Sequence, residues 1–217
     1  MKLLFIGGVF PKDKESEYYD SARSSFQAAA NAWQWNVIEG LEDNLSDSID
    51  ILNAVFLAPF PYGNKKVWEK SYEWKHSKGS KDYNISFLNL FMIKNIFREI
   101  NLKRQLRYWI RENKDEELIV MAYSPHVPFL SCLKLARRKN AMTCLILPDL
   151  LKFTGTAYRD NKVYQMIKKF EVKRFYDTLK SVDKFVLFTE AMAEDISIED
   201  HYIIIEGIAD PSLANSS

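Results

Sequence analysis

Short apolar runs alternate with helix-spaced segments from the second residue almost to the end of the chain, and this order restricts the fold more than any single motif. The runs are Lys2–Ile6, Asp50–Ala58, Leu118–Ala122, Met142–Leu147, Lys184–Phe188 and His201–Ile205. Between them lie segments whose apolar residues recur at helical spacing: Ser25–Glu39, Asn89–Asn113, Phe129–Lys139, Asn161–Lys180 and Glu190–Asp195. In the first of these, Phe26, Ala29, Ala30, Trp33, Val37 and Leu41 form the stripe and Gly40 reads as the stop. Parallel strands need crossovers of this length, and helices in the crossovers cover the faces of the sheet. The expected fold class is therefore α/β: a Rossmann-like, doubly wound, mainly parallel sheet with helices on both faces. Val67–Leu88 departs from the alternation, holding Trp68, Tyr72, Trp74, Tyr83 and Phe87 among lysines and turn residues, and reads as an aromatic hairpin or flap insertion.

A chain of 217 residues has length for one large or two small domains, and one is the better fit. A net charge of +1 removes bulk attraction to nucleic acid, so no nucleic-acid partner is expected and any basic surface is local. The helix Asn89–Asn113 is such a feature. Its Lys94, Arg98, Lys103, Arg104, Arg107 and Arg111 either form a solvated face or attract anionic lipid at about 1 kcal/mol per charge. Cys132 and Cys144 have no zinc, redox or disulfide spacing, the N-terminus fails as a signal peptide, and no run reaches transmembrane length. The expected location is cytoplasmic, with peripheral contact at the inner face of the cell membrane as an extension of the basic helix.

In an open parallel sheet the loops leaving the carboxyl ends of the strands carry function. Four such loops should gather on one rim: Gly7-Gly8, Ser124-Pro125-His126, Pro148-Asp149 and Thr189-Glu190. A strand running into paired glycines makes a tight turn where backbone N–H groups can approach a phosphate. Val9-Phe10-Pro11 replaces the third glycine of a dinucleotide fingerprint, so the pair also fits a plain turn. His126 precedes a helix, where it can act as acid or base near neutral pH or serve as a cap. Asp149 can accept from a substrate hydroxyl or close a turn, and Glu190 can line the rim or sit in a first helical turn. His76 and His201 lack clustered partners and read as structural. No Gly-Lys-Ser/Thr loop, Gly-x-Ser-x-Gly elbow, His-Glu-x-x-His or Cys/His cluster is present, and no metal site is expected. The aromatic segment can stack on sugar, rest on lipid or pack on its own domain.

The succession of the first strand ending in Gly7-Gly8, the strand and loop Leu118–Pro128, the strand ending at Asp149, the stretch Val182–Met192, and Ile205-Glu206-Gly207-Ile208 resembles the N-terminal domain of a GT-B glycosyltransferase, most closely glycosyltransferase family 4. The resemblance spans nearly the whole chain. It implies a two-domain enzyme in which this half, residues 1–210, binds the acceptor, and a second Rossmann-like half binds a nucleotide sugar. Residues 211–217 would then begin an interdomain linker or tail. On this likeness Gly7 and Gly8 lie near the donor diphosphate, His126 and Asp149 are the catalytic candidates on the acceptor side, and Tyr123, Ser124 and Glu190 are substrate contacts. Where the family carries a histidine at the end of the fourth strand and a His-Asp pair after the fifth, this chain has Tyr123 and Pro148. The family's donor-binding glutamate pair, separated by seven residues, has no counterpart, because no two glutamates stand at that offset.

The expected function is thus the acceptor-binding half of a retaining, metal-independent glycosyltransferase acting on a polysaccharide or lipid-linked glycan. The nucleotide sugar is a co-substrate of the whole enzyme, no cofactor is expected in this chain, and the partner is a C-terminal donor-binding domain lying beyond a truncated end. Without that domain, weak or no activity is expected. Two alternatives share the fold. One is a non-catalytic carbohydrate- or partner-binding module that docks a separate donor-binding subunit; the other is a self-contained small-molecule enzyme, which would bind nucleotide by itself.

Overall fold

The structure, a computed structural model, describes residues 1–24, 27–45, 47–91, 93–150 and 162–207. An eight-stranded sheet is built from β1 (Lys2–Gly7), β2 (Asp50–Asn53), β4 (Tyr72–Trp74), β5 (Asp82–Asn84), β7 (Leu118–Tyr123), β8 (Met142–Leu147), β9 (Lys184–Leu187) and β10 (Tyr202–Ile204). Its order is β10-β9-β8-β7-β1-β2-β5-β4. All neighbours are parallel except β4 and β5. Two short strands, β3 (Trp68–Glu69) and β6 (Phe87–Leu88), pair antiparallel as a separate ribbon. The helices are α1 (Glu15–Ser21), α2 (Ala28–Asn44), α3 (Lys94–Glu112), α4 (Val127–Arg137), α5 (Lys162–Leu179) and α6 (Glu190–Ile196).

The strand order reverses at β1, so right-handed crossovers send the helices to opposite faces. One core layer holds Trp35 and Ile38 of α2 against Leu3, Phe5, Ile51 and Ile146. The other collects Leu102 and Leu106 of α3, Phe129 and Leu133 of α4, Phe175 and Leu179 of α5 and Met192 of α6, against Leu4, Val120 and Leu145. Neighbouring strand residues alternate between these layers, as the two-residue period of a strand requires. The chain accordingly has the Rossmann-like α/β fold expected from its pattern, with α2 on one face and α3–α6 on the other.

The aromatic segment is a hairpin, and its second strand is also a parallel member of the sheet. Trp74 faces Asp82 across β4 and β5, while Tyr83 faces Leu52 across β5 and β2. The expected strand Asp50–Ala58 ends as a ladder at Asn53, yet its run continues as a strap over the glycine turn. Ala54 N–H donates to the Gly7 carbonyl at 2.9 Å and Phe56 N–H to that of Gly8 at 3.2 Å.

Among the helix boundaries that differ from expectation, two have a visible cause. α2 runs through Gly40 to Asn44, where the N–H of Leu45 closes the last turn on Leu41 O. A side chain at Gly40 would meet nothing within 4 Å, so the glycine sits on the open side of the helix and weakens it by about 1 kcal/mol relative to alanine without ending it. α3 begins at Lys94, because the side chain of Asn89 is tied to the carbonyls of Ala58 and Lys66. Ser25, Phe26, Asn161, the glycine-containing loop after Leu150, Ile208 and the 211–217 tail lie outside the described residues. No described helix is long and apolar enough to cross a membrane.

Candidate functional site

The ends of β1, β7, β8 and β9 are consecutive in the sheet, so the four loops expected to converge emerge side by side on the carboxyl rim. What fills the centre of that rim is aromatic. The ring of Phe56, on the strap after β2, lies 6.4 Å from Tyr123, 6.0 Å from His126 and 5.7 Å from Phe129. Trp33 of α2 reaches Tyr123 at 5.4 Å and Phe188, just beyond β9, at 5.0 Å.

Gly7 and Gly8 serve this packing. A Cβ on Gly8 would stand 2.5 Å from the Phe56 ring, and one on Gly7 would stand 2.6 Å from both Gln34 Oε1 and Phe5. The Gly8 N–H donates to the buried Gln34 Oε1 at 2.9 Å, and Phe10 N–H to Asn31 Oδ1 at 2.8 Å. Thus the turn has the close approach that paired glycines permit, but what approaches is the chain's own side chains. For Gly8 to donate to a diphosphate, Gln34 would first have to let go.

His126 occupies the N-cap position of α4, its carbonyl accepting from Phe129 and Leu130 N–H, while its side chain makes no cap bond. The imidazole is half-buried between Phe56 and Phe129, and Nδ1 has no hydrogen-bond partner. Burial first, then the charges of Arg98 and Lys94, hold its pKa well below the ordinary histidine value. The ring is therefore neutral at physiological pH and has a free lone pair or N–H at Nδ1, whichever tautomer it adopts. Ser124 takes a left-handed backbone (φ 79°) and donates its N–H to Ile146 O at 2.8 Å. This uncommon conformation lets the chain leave β7 sharply and swing His126 over the rim.

Asp149 is exposed, directly after β8. Burial, followed by the charge of Asp149, pushes the Tyr123 phenol up to about 12, so that hydroxyl remains a proton donor across the physiological range. The rim therefore groups Tyr123, Ser124, His126 and Asp149. Glu190 lies apart from them in the first turn of α6, accepting from Tyr202 Oη at 2.7 Å. His201 is exposed beside Asp200. His76 clamps the β4–β5 hairpin to α2 through Asp82 at 2.8 Å and Glu42 at 3.1 Å. Among the described residues, no three His, Cys, Asp or Glu side chains are grouped to hold a metal ion.

Lys94 and Arg98 correct the reading of α3 as a uniformly basic outer face. Arg98 is 2% exposed, donates to Val55 O, and lies 4.2 Å from the Phe87 ring. Lys94 donates to Leu57 O at 3.0 Å, and burial with the neighbouring Arg98 charge lowers it to about 7. Both fall on the stripe 94-98-102-106, the same stripe that carries buried Leu102 and Leu106, and this four-residue spacing was the available signal. Their charges add to burial, the larger cause, in lowering the His126 pKa. Lys103, Arg104, Arg107 and Arg111 are the cations left nearer the surface.

No family model matches the chain, and no curated protein matches it. Solved structures do. One is an α,α-trehalose-phosphate synthase (UDP-forming) from Burkholderia xenovorans in complex with glucose-6-phosphate, at 8% identity and a TM-score of 0.51 over 91% of this chain. The likeness is one of fold. It agrees with the fold of GT-B glycosyltransferases and does not single out family 4. An α,α-trehalose 6-phosphate synthase from Burkholderia multivorans also matches, with 8% identity and a TM-score of 0.49. The chain spans 43% and 41% of the lengths of these two proteins.

Proposed function

We propose that this chain is the acceptor-side half of a GT-B glycosyltransferase that moves a sugar from a nucleotide sugar to a polysaccharide or lipid-linked glycan with retention. The observation that carries the reading is the match of nine-tenths of the chain to less than half of a UDP-forming synthase, with a rim that groups Tyr123, His126 and Asp149. In the reaction, the bond from the anomeric carbon to the diphosphate oxygen breaks, the acceptor oxygen bonds to that carbon, and the acceptor proton passes to the departing diphosphate oxygen. Asp149, exposed after β8, accepts a hydrogen bond from the acceptor hydroxyl, and the neutral His126 orients the sugar from the α4 side. The aromatic floor of Phe56, Tyr123 and Trp33 excludes water beneath the developing charge. The nucleotide diphosphate belongs on the other half of the enzyme, with closure bringing the halves together.

The test is sugar transfer by the product of the whole natural reading frame, across a panel of nucleotide sugars and glycan acceptors. Transfer that falls about 100-fold in Asp149→Asn and in His126→Ala supports the assignment. Absence of transfer with every donor, or activity indifferent to both substitutions, overturns it. The engaged Gly8 N–H favours a second reading, a carbohydrate- or partner-binding module that docks a separate donor-binding subunit. That reading predicts acceptor binding with no transfer.

A further inference from the structure

A deep cleft among the described residues lies away from the rim. It measures about 800 Å³ and lies between the β4–β5 hairpin and the C-terminal half of α3, reaching in to Leu4 and Leu52. Volumes of about 300–1,000 Å³ are typical of small-molecule sites. It exists because α3 covers β1 and β2 but leaves the same face of the hairpin uncovered. Tyr83 stands on the sheet side with Leu52, while Tyr108, 58% exposed, and Trp109 line the helix side.

The walls are braced from behind. Asp50, 6% exposed, accepts from Trp109 Nε1 at 2.6 Å through one oxygen and from the Lys81 N–H at 2.7 Å through the other. Asp82, 2% exposed, accepts from Ile51 N–H at 3.0 Å and bonds His76 at 2.8 Å. Both buried carboxylates thus fix the hairpin against β2 and α3, so the gap is held open by the fold.

We infer that this cleft is an accessory binding site for a neutral oligosaccharide. Tyr83 and Tyr108, both lining the cleft, offer flat apolar faces with polar tips, the combination that suits a sugar ring's C–H face and its hydroxyl edge. Glu73, Glu112 and Gln105 supply acceptors and a donor around them. The lining charges balance, Lys75 and Lys81 against Glu73 and Glu112, with Asp82 already engaged, so neither an anionic nor a cationic ligand is favoured. A nucleotide would require a cation-rich or N–H-rich cradle for phosphate, and the cleft has none. The site goes beyond the transfer chemistry of the rim: it holds a stretch of glycan away from the reacting end.

The experiment is a titration of the protein, without any donor, using maltopentaose, cellopentaose, mannopentaose and chitopentaose, with the cationic, deacetylated form of the last as a charged counterpart. Binding is read by tryptophan fluorescence and amide chemical shifts. The expected result is saturable binding of at least one probe, with shifts in residues 73–83 and 105–113. Tyr108→Ala should weaken it about tenfold, as should Glu73→Gln; both residues are exposed, so both variants keep the fold. No binding by any of the four neutral probes, binding unchanged in both variants, or preference for the deacetylated chitopentaose over the neutral one overturns the inference. Because no donor is present, this outcome is separate from success or failure of the transfer assay.

Discussion

Replacing Gly8 with alanine separates two reasons for a glycine at the end of β1. If the residue kept space for a ligand, an added methyl group would leave the fold untouched. The structure assigns that space to Phe56, with three ring atoms at 2.5, 2.6 and 2.7 Å from the added carbon. Real Cβ contacts do not come so close, so the ring must move. It is flanked by Tyr123, His126 and Phe129, so it cannot swing aside freely. Overpacking of this kind costs about 1–3 kcal/mol. For a domain of this size that is a fall in Tm of roughly 2–12 °C. Thermal and urea denaturation of wild type, Gly8→Ala, Phe56→Ala and the double variant measure it. Alanine lacks the three ring atoms nearest Gly8, so the double variant should be more stable than the two separate losses imply, by more than about 0.5 kcal/mol. A Gly8→Ala protein as stable as wild type, or equal losses in both backgrounds, would refute the packing account.

Three further outcomes follow from described features. Gly40→Ala, on the open side of α2, should raise stability by about 0.5–1 kcal/mol in urea denaturation, since it removes a flexible residue from a helix interior and meets no neighbour. For His76, burial acts to lower the pKa but the hydrogen bond and charge of Asp82, with those of Glu42, outweigh it and raise it above 6.5. Its contribution is therefore complete below the unfolded value and lost as pH climbs through the folded one; Tm profiles of wild type and His76→Asn should converge as pH rises above 6.5. Lys94 has the opposite sign: lowered to about 7 when folded, it binds a proton more readily in the unfolded chain. Lys94→Met should then raise Tm most below pH 7, with the gain shrinking toward pH 10.

The parallel strands were legible because both of their faces are buried, which makes runs such as Leu3-Leu4-Phe5-Ile6 and Cys144-Leu145-Ile146-Leu147 continuously apolar. The third parallel strand, β5, was hidden because it reads Asp-Tyr-Asn. There Asn53 and Asn84, both fully buried, bond each other at 3.0 Å, and a polar pair does what apolar side chains do elsewhere. The rim was legible as topology, since every parallel strand must deliver its loop to the same edge. Its filling was not, because Trp33, Phe56 and Phe188 come from three distant segments and meet only when α2, the strap and β9 are assembled. Arg98 was read from its charge when its spacing with Leu102 and Leu106 carried the better information. For Gly8 the residue type was right for close approach, but a sequence cannot name what approaches.

Helix α3 touches both places that matter. Lys94 and Arg98 in its first turns act together with burial on His126, and Tyr108, Trp109 and Glu112 near its far end line the cleft beside the hairpin. At 1.5 Å per residue, the axial separation from Lys94 to Glu112 is about 27 Å. One stiff rod therefore fixes the distance between rim and cleft, and if both take glycan as proposed, a polymer engaging both would be gauged against it, so that short and long chains would bind differently.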